Sequence, residues 1–309
     1  MPTPLKNDHP QSVGIIGLGI MGSAIATHLV TAGYQTFGYD PDKKCSEQAA
    51  TMGVITQASA IEVAARSEII LLSLPHDQAL NETVTHILNS PAVMLSKPIL
   101  IDLSTLNLAS KKHNHDRLAN AGIKFFDCPI SGTGAQAKTG DIVIYASGEV
   151  DTYHSLIPLF NCFARCVFYI GKFGQGTKMK IAANLLVAIH NVATAEALTL
   201  AISSGLDAEM FCEVIASGAG NSKIFELRSP LMAKGTYTPP TMKLATWEKD
   251  MAIIKQFTEE MGVSTPLFTA TSPIYEAAIQ QGLGDQDTAA VFAVLQNMTE
   301  RSQPPADSR

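Results

Sequence analysis

Charge of either sign is scarce in this chain. Only 16% of its 309 residues are Asp, Glu, Lys or Arg, and the 28 acidic residues outnumber the 22 basic ones, for a formal net charge of −6. No basic block is long enough to present the field that a nucleic acid or an acidic membrane surface requires, so neither is an expected partner. The densest positive cluster, Lys111, Lys112, His113, His115 and Arg117, is broken by Asp116 and reads as a solvated helix face. Cysteine is also short: Cys45, Cys128, Cys162, Cys166 and Cys212 form an odd set without a CxxC pair. Cys162 and Cys166 are spaced for one helix face, yet no second pair or histidine motif completes a zinc site. No metal is expected, and free thiols in a reducing cytoplasm fit. The opening MPTPLKNDHPQ lacks the apolar core of a signal peptide. Only residues 181–204 form a long apolar run, and a membrane span there would have to bury Asn184, His190, Asn191 and Glu196.

What is present is apolar mass and glycine punctuation. Hydrophobic residues make up 46% of the chain, and its length has room for two domains. Near the start, SVGIIGLGIMGSAIATHLVTAGYQTFGYD reads as strand, glycine turn, helix, strand. Residues 13–16 are the first strand, and Gly17, Gly19 and Gly22 form GxGxxG. Residues 20–31 have helical periodicity, Gly33 stops them, and residues 36–39 form a second strand that ends at Asp40. That context turns a weak motif into a dinucleotide fingerprint. Gly17 allows the tight turn, Gly19 the approach of a pyrophosphate, and Gly22 the close packing of helix on strand, while the amides at the helix start face the phosphates. Asp40 is expected to accept hydrogen bonds from the adenosine ribose and to repel a 2′-phosphate, with Asp42 adding to the repulsion, so NAD is expected over NADP. Lys43 and Lys44, which open the next helix, read as solvated.

The alternation continues through strands at 68–74 (EIILLSL) and 99–103 (ILIDL), extended by 123–126, 142–146 and 166–170. Loops at the carboxyl ends of such strands face the cofactor crevice, which makes Leu74, Pro75, Ser104 and Thr105 candidate walls of the nicotinamide site. Between two strands lies DCPISGTGAQAKTG, residues 127–140, without helical or strand pattern. Its amides and serine hydroxyl suit a small anion. After Gly174 strand signals vanish. A long helix runs to Ser203, apolar all round and therefore expected to be buried, with Lys180 and Asn184 on one face at i, i+4. Shorter helices follow at 208–217, 222–227 and 230–234, then longer ones at 241–261, 267–281 and 287–299. The expected organisation is a nucleotide domain at 1–172, an all-helical domain at 173–301 and a disordered tail at 302–309. Ligands favour the junctions of such domains, which is where Lys180 falls.

Four segments in order, GLGIMG with YD after the second strand, DCPISGTGAQAKTG, GKFGQGTKMKIAAN and WEKDM, resemble the motifs of the β-hydroxyacid dehydrogenases of the 6-phosphogluconate dehydrogenase superfamily. The likeness spans nearly the whole chain. It implies an α/β fold, a Rossmann-type doubly wound sheet followed by an all-α domain across a long interdomain helix, and a homodimer or homotetramer built through the helical part. By position it implies Lys180 as the catalytic lysine with Asn184 beside it, and Ser131, Gly132 and Thr133 as the substrate-carboxylate loop. It also implies cofactor contacts from Gly17, Leu18, Gly19, Ile20, Met21, Gly22, Asp40, Leu74, Pro75, Thr105 and Lys249. Three positions depart from the family pattern. Thr133 stands where a second glycine is usual, Ala183 replaces the first asparagine of Lys-x-x-Asn-Asn, and Met242 replaces a common phenylalanine. AGNSKIFELR, residues 219–228, resembles threonate-type members, with Lys223 where they carry an aromatic residue.

The implied activity is hydride transfer between NAD and a small 3-hydroxy acid or its semialdehyde (EC 1.1.1.-). It requires a bound nicotinamide, a carboxylate anchor and an acid/base group on the reacting oxygen. Lys180 fills the last role, with Asn184 holding the same oxygen or orienting the lysine. A lysine with a reference pKa of about 10.4 needs desolvation or a nearby cation to act as a base near neutrality. Lys178 and His190 lie off the Lys180 face. An imine reductase on this scaffold, or a non-catalytic NAD(P)H sensor, is the alternative; Lys180, Asn184 and Ser131 together weigh against the sensor, and Lys180 weighs against the imine reductase.

Overall fold

The computed structural model describes residues 12–302. Residues 1–11, judged above for a signal peptide, and residues 303–309 of the expected tail lie outside the described residues, while Ser302 ends the last helix. The chain packs as two compact units that divide between Lys180 and Ile181.

The first unit runs β1 (Ser12–Ile16), α1 (Ile20–Thr31), β2 (Gln35–Tyr39), α2 (Lys43–Thr51), β3 (Ile55–Thr56), α3 (Ala60–Arg66), β4 (Ile69–Leu72), α4 (Asp77–Leu88), α5 (Pro91–Ser96) and β5 (Ile99–Asp102). It continues with α6 (Leu108–Asn120), β6 (Phe125–Asp127), β7 (Ile130–Ser131), α7 (Gly134–Lys138), β8 (Val143–Ser147), α8 (Val150–Phe160) and β9 (Cys166–Gly171). The strands lie in the order β3-β2-β1-β4-β5-β6, all parallel, which is doubly wound and puts the switch point between β1 and β4. Beyond β6 the sheet changes sense. β7 pairs antiparallel with β8 (Ile130↔Ile144), β8 meets β6 antiparallel, and β9 returns parallel to β8. The alternation of side chains along a strand explains the apolar runs. Val13, Ile15, Ile69, Leu71 and Ile101 enter one core cluster with Leu29 of α1 and Phe160 of α8, whereas Ile16, Ile70, Leu72 and Leu100 enter another with Val63 of α3 and Val84 of α4. A sheet buried on both faces needs no polar alternation.

α9 (Gln175–Ser203) starts in the first unit and continues into the second. There follow α10 (Ala208–Ala216), α11 (Lys223–Lys234), α12 (Leu244–Glu260), α13 (Pro266–Gln280), a 3-10 turn (Thr288–Ala290) and α14 (Val291–Ser302). Ile181, Ala188, Ala195 and Leu198 of α9 pack with Trp247, Ile254, Phe268 and Phe292 in the core of the second unit.

By packing, the start of α9 belongs to the first unit, whose strand ends hold it through Gly176 and Thr177, so the compact units divide eight residues beyond residue 172. Several expectations are corrected. Segment 127–140 is not patternless: it contains β7 and α7, and a Thr133–Gln136 capping box starts the helix. The helices placed at 222–227 and 230–234 are one, α11, with Pro230 inside it. The bond Pro230 cannot donate would have gone to the Glu226 carbonyl, and both residues are exposed, so the lost bond falls on the solvent side of the helix. Cys162 lies in the turn after α8 and Cys166 opens β9, so they share no helix face. α9 is not buried all round: Met179, Leu186 and Leu200 are 43%, 52% and 72% exposed.

Candidate active site

The glycine turn is shaped by what its glycines touch. Gly17 has a φ of 96° and donates its N–H to the Tyr39 carbonyl at 2.9 Å, while a side chain on it would overlap the Ser73 carbonyl. A side chain on Gly22 would overlap the Gly17 carbonyl, whereas one on Gly19 would meet nothing within 4 Å. Gly19 therefore borders open space, as backbone approached by a ligand must. It is also the N-cap of α1, with no side-chain cap and no acidic residue in the first turn. The first amides of α1, from Ile20, Met21 and Gly22, have no internal acceptor, and a helix start of this kind suits a phosphate. Asp40 closes the turn: Leu18 N–H donates to its Oδ2 at 2.7 Å and Asp42 N–H to its Oδ1 at 2.8 Å. Each carboxylate oxygen keeps capacity for a second donor, as ribose hydroxyls require. Asp42 caps α2 by accepting from Lys44 N–H at 2.9 Å. These features fit a dinucleotide.

The next strand ends are braced together. Leu74 N–H donates to Ser104 Oγ at 2.8 Å, and Asn107 donates from its backbone and side chain to Asp77 at 3.1 and 2.6 Å. Leu74 and Thr105 are half-buried and Pro75 is exposed. Ser131, Gly132 and Thr133 are half-buried, and the substitution at Thr133 has a structural use. Its Oγ1 accepts from Gln136 N–H at 3.4 Å, and Gln136 Oε1 accepts from Thr133 N–H at 3.0 Å. α7 packs on α1, with His28 Nε2 2.9 Å from the Ala137 carbonyl oxygen, so the 131–133 loop adjoins the glycine turn.

Lys180 is the last residue of the first unit and is half-buried; Asn184, one turn on, is buried in the second. Asn184 Nδ2 donates to Asp250 Oδ2 at 3.0 Å, and the Lys249 ammonium lies 3.7 Å from Asp250 Oδ1. A carboxylate only accepts, so Asp250 fixes which end of the Asn184 amide faces it. Asp250 was not singled out from the sequence, although it follows Lys249 in WEKDM. Lys223 is exposed and pairs with Glu226 at 2.9 Å.

The most consequential residues missed from the sequence form a buried ion cluster at the ends of β5 and β6. Lys111, read above as part of a solvated face, is fully buried. Its Nζ lies 3.0 Å from Asp102 Oδ2 and donates to Asp127 Oδ1 and to the Ser104 carbonyl, each at 2.8 Å. Burial alone would lower the lysine's pKa, but the two carboxylates outweigh it and hold the ammonium above its ordinary value. One signal was available: Asp102 interrupts an otherwise apolar buried strand, and a carboxylate there requires a cation. Nothing in the spacing of Lys111 marked it as that cation.

Residues 12–171 match the family described as the NAD binding domain of 6-phosphogluconate dehydrogenase, and residues 174–295 that described as NAD-binding of NADP-dependent 3-hydroxyisobutyrate dehydrogenase. Glyoxylate/succinic semialdehyde reductase 2 of Arabidopsis thaliana is 27% identical over 94% of this chain and 81% of its own length. L-threonate dehydrogenase of Cupriavidus necator is 29% identical over 92% of this chain and 96% of its own. Among solved structures, the Mycobacterium tuberculosis 3-hydroxyisobutyrate dehydrogenase with L-serine is 25% identical and superposes with a TM-score of 0.82 over 93% of this chain and 99% of that one. An imine reductase from Pseudomonas sp., 17% identical with a TM-score of 0.60 over 93% of this chain and 99% of that one, shares the fold alone.

Proposed function

This chain belongs to the β-hydroxyacid dehydrogenase family, nicotinamide-dependent oxidoreductases of small hydroxy acids, and on that premise we propose that Lys180 is its acid/base group and NAD its cofactor. A bound nicotinamide would supply the hydride acceptor for oxidation and the hydride donor for reduction. Lys180 takes the alcohol proton on oxidation and gives it back on reduction. Asn184, its amide oriented by Asp250, holds the same oxygen or the lysine. Ser131 and Gly132 hold the substrate carboxylate, with Thr133 setting their loop through its cap. Gly17, Leu18, Gly19, Ile20, Met21 and Gly22 would hold the pyrophosphate and Leu74, Pro75 and Thr105 the nicotinamide side, with Lys249 as a further cofactor contact. The observation that carries this reading is the uncapped start of α1 over an open Gly19, in the same unit as Lys180.

Asp40 supports NAD, because a 2′-phosphate beside a carboxylate held by two amides would meet uncompensated negative charge. The exposed apolar residues Met179, Leu186 and Leu200 of α9, with Ala193 between, recur every seven positions and support a homodimer or homotetramer that covers that face. The enzyme is proposed to work in the cytoplasm.

The test is a panel of L-threonate and 3-hydroxyisobutyrate with NAD, and glyoxylate and succinic semialdehyde with NADH, followed by nicotinamide absorbance. Lys180→Ala is expected to lower kcat on the active member by about 10²–10⁴-fold while NADH binding persists. More than a tenth of wild-type turnover would refute the assignment. Asp40→Ala is expected to raise NADP use relative to NAD; an unchanged ratio of kcat/KM values counts against the ribose role.

A further inference from the structure

We propose that the Lys111–Asp102–Asp127 cluster, acting through Thr177, positions Lys180 against the cofactor wall and substrate loop, which makes Lys111, Asp127 and Thr177 positioning residues for the reaction. The proposal rests on Lys180 as the acid/base group.

The start of α9 has no cap of its own. Its N-cap position is Gly174, with a φ of 89° and no side chain, whose carbonyl accepts from Lys178 N–H at 3.2 Å. Of the orphan amides of the first turn, Gln175 N–H donates locally to the Lys172 carbonyl at 3.1 Å, and the next two are satisfied by distant strand ends. Gly176 N–H donates to Ser147 Oγ at 3.0 Å, and Thr177 N–H donates to Asp127 Oδ2 at 2.7 Å. Thr177 Oγ1 donates to Asp127 Oδ1 at 2.6 Å, and Ser147 Oγ donates to the Asp127 carbonyl at 2.9 Å. Gly176 lies so near the sheet that a side chain on it would overlap the Tyr145 carbonyl. A locally capped helix carries its cap with it when it shifts; this helix is referred to the sheet. Lys180 follows Thr177 by three residues, roughly 4.5 Å along the axis, too short a span for the helix to bend away.

The other side of the cluster holds the segments that Lys180 must face. Asp102 Oδ1 accepts from Ser104 N–H at 3.0 Å, Lys111 donates to the Ser104 carbonyl, and Ser104 Oγ accepts from Leu74 N–H. Asp127 ends β6, and Ser131 follows four residues on. The nicotinamide wall, the carboxylate loop and the start of the Lys180 helix therefore share one reference point. The charge has a reason as well. The Asp127 carboxylate accepts from Lys111 Nζ, Thr177 N–H and Thr177 Oγ1, three donors gathered on an acceptor-only group. Lys111 supplies the opposite charge 2.8 Å away, where water does not reach. Buried ion clusters are poor sources of stability and good sources of geometry.

The discriminating variant is Thr177→Val, which removes the hydroxyl and keeps the amide. On the panel substrate that the wild type turns over fastest, kcat is expected to fall about tenfold, the order produced by sub-ångström displacement of a reacting group. The NADH dissociation constant is expected to stay as in the wild type and the thermal midpoint to fall by only a few degrees, the loss of one buried hydrogen bond, and Thr177→Ser is expected to restore both kcat and midpoint. Lys180→Ala is assayed in parallel. An inactive Lys180→Ala beside a Thr177→Val variant of wild-type kcat overturns the positioning role and leaves Lys180 standing. An active Lys180→Ala overturns the acid/base reading and this proposal with it. A Thr177→Val variant that loses kcat and thermal midpoint together, without rescue by serine, marks a merely structural contact and also overturns the proposal.

Discussion

Each unit buries an ion cluster, and the two do different work. In the first, Lys111 faces two carboxylates, Asp102 and Asp127; in the second, Arg228 faces one, Asp287, at 3.0 Å. The balance of forces differs accordingly. Two carboxylates overcome burial and hold Lys111 above its ordinary pKa, whereas burial of Arg228 outweighs the pull of Asp287 and draws the guanidinium below its own. Their remaining partners differ too. Asp287 takes backbone amides from Thr241 at 2.7 Å, Met242 at 3.3 Å and Ala289 at 3.0 Å, so it stitches the segment before α12 to the turn before α14. Asp127 takes the start of the helix that carries Lys180. A buried carboxylate whose donors belong to loops ties those loops together, whereas one with a donor three residues from Lys180 is placed for the positioning role proposed above.

The comparison is broken most strongly by removing the cations. Lys111→Met strands two buried carboxylates and is expected to cost about 3–5 kcal/mol. Arg228→Met strands one, which keeps its amide donors, and is expected to cost on the order of 1–3 kcal/mol. Urea unfolding followed by circular dichroism covers both units, while fluorescence of Trp247, the single tryptophan, reports on the second, where it is buried. Lys111→Met is expected to move the dichroism transition more than the fluorescence transition. Equal costs for the two variants would erase the distinction drawn between the clusters.

Much of the first unit was legible because its signals are local. GxGxxG between a strand and a helix, an acidic residue at the end of the second strand, and apolar runs buried on both faces all follow from short-range rules, and α1 spans the residues its periodicity marked. What escaped depends on contacts distant in sequence. Lys111 has the exposed Lys112 and His113 beside it, and nothing in KKHNH itself distinguishes the one lysine that turns inward to Asp102 and Asp127. The start of α9 showed only glycines, because its cap comes from Asp127 and Ser147. α7 was hidden for a different reason: Gly134 and the small residues around it carry no apolar period, and a capping box over five residues holds the helix. The all-apolar character of α9 was read as burial, yet the same composition also describes a helix with one face left for another chain.

Alkaline pH gives the finest separation of the two units. Cys128, next to Asp127, is fully buried, and burial first and the Asp127 charge second push its thiol well above its ordinary value, with Lys111 and a Ser147 backbone contact pulling the other way. A folded pKa above the unfolded one means that the stability is complete below about 8.5 and is lost as pH rises from there, by at most about 1.4 kcal/mol per pH unit. Tyr275 in the second unit is likewise raised by burial, and Lys111 by its carboxylates, but their unfolded values lie near 10, so their losses begin later. Between pH 8.5 and 10 the decline therefore belongs to the first unit, with Cys128 foremost; above 10 both units contribute. Cys128→Ala is expected to flatten the urea-midpoint curve over the lower interval only, and Tyr275→Phe to make it shallower over the upper one only. A wild-type curve already flat from pH 8.5 to 10 would mean that Cys128 ionises in the folded chain as readily as in the unfolded one, and that the negative charge assigned to Asp127 is weaker at that thiol than the geometry requires.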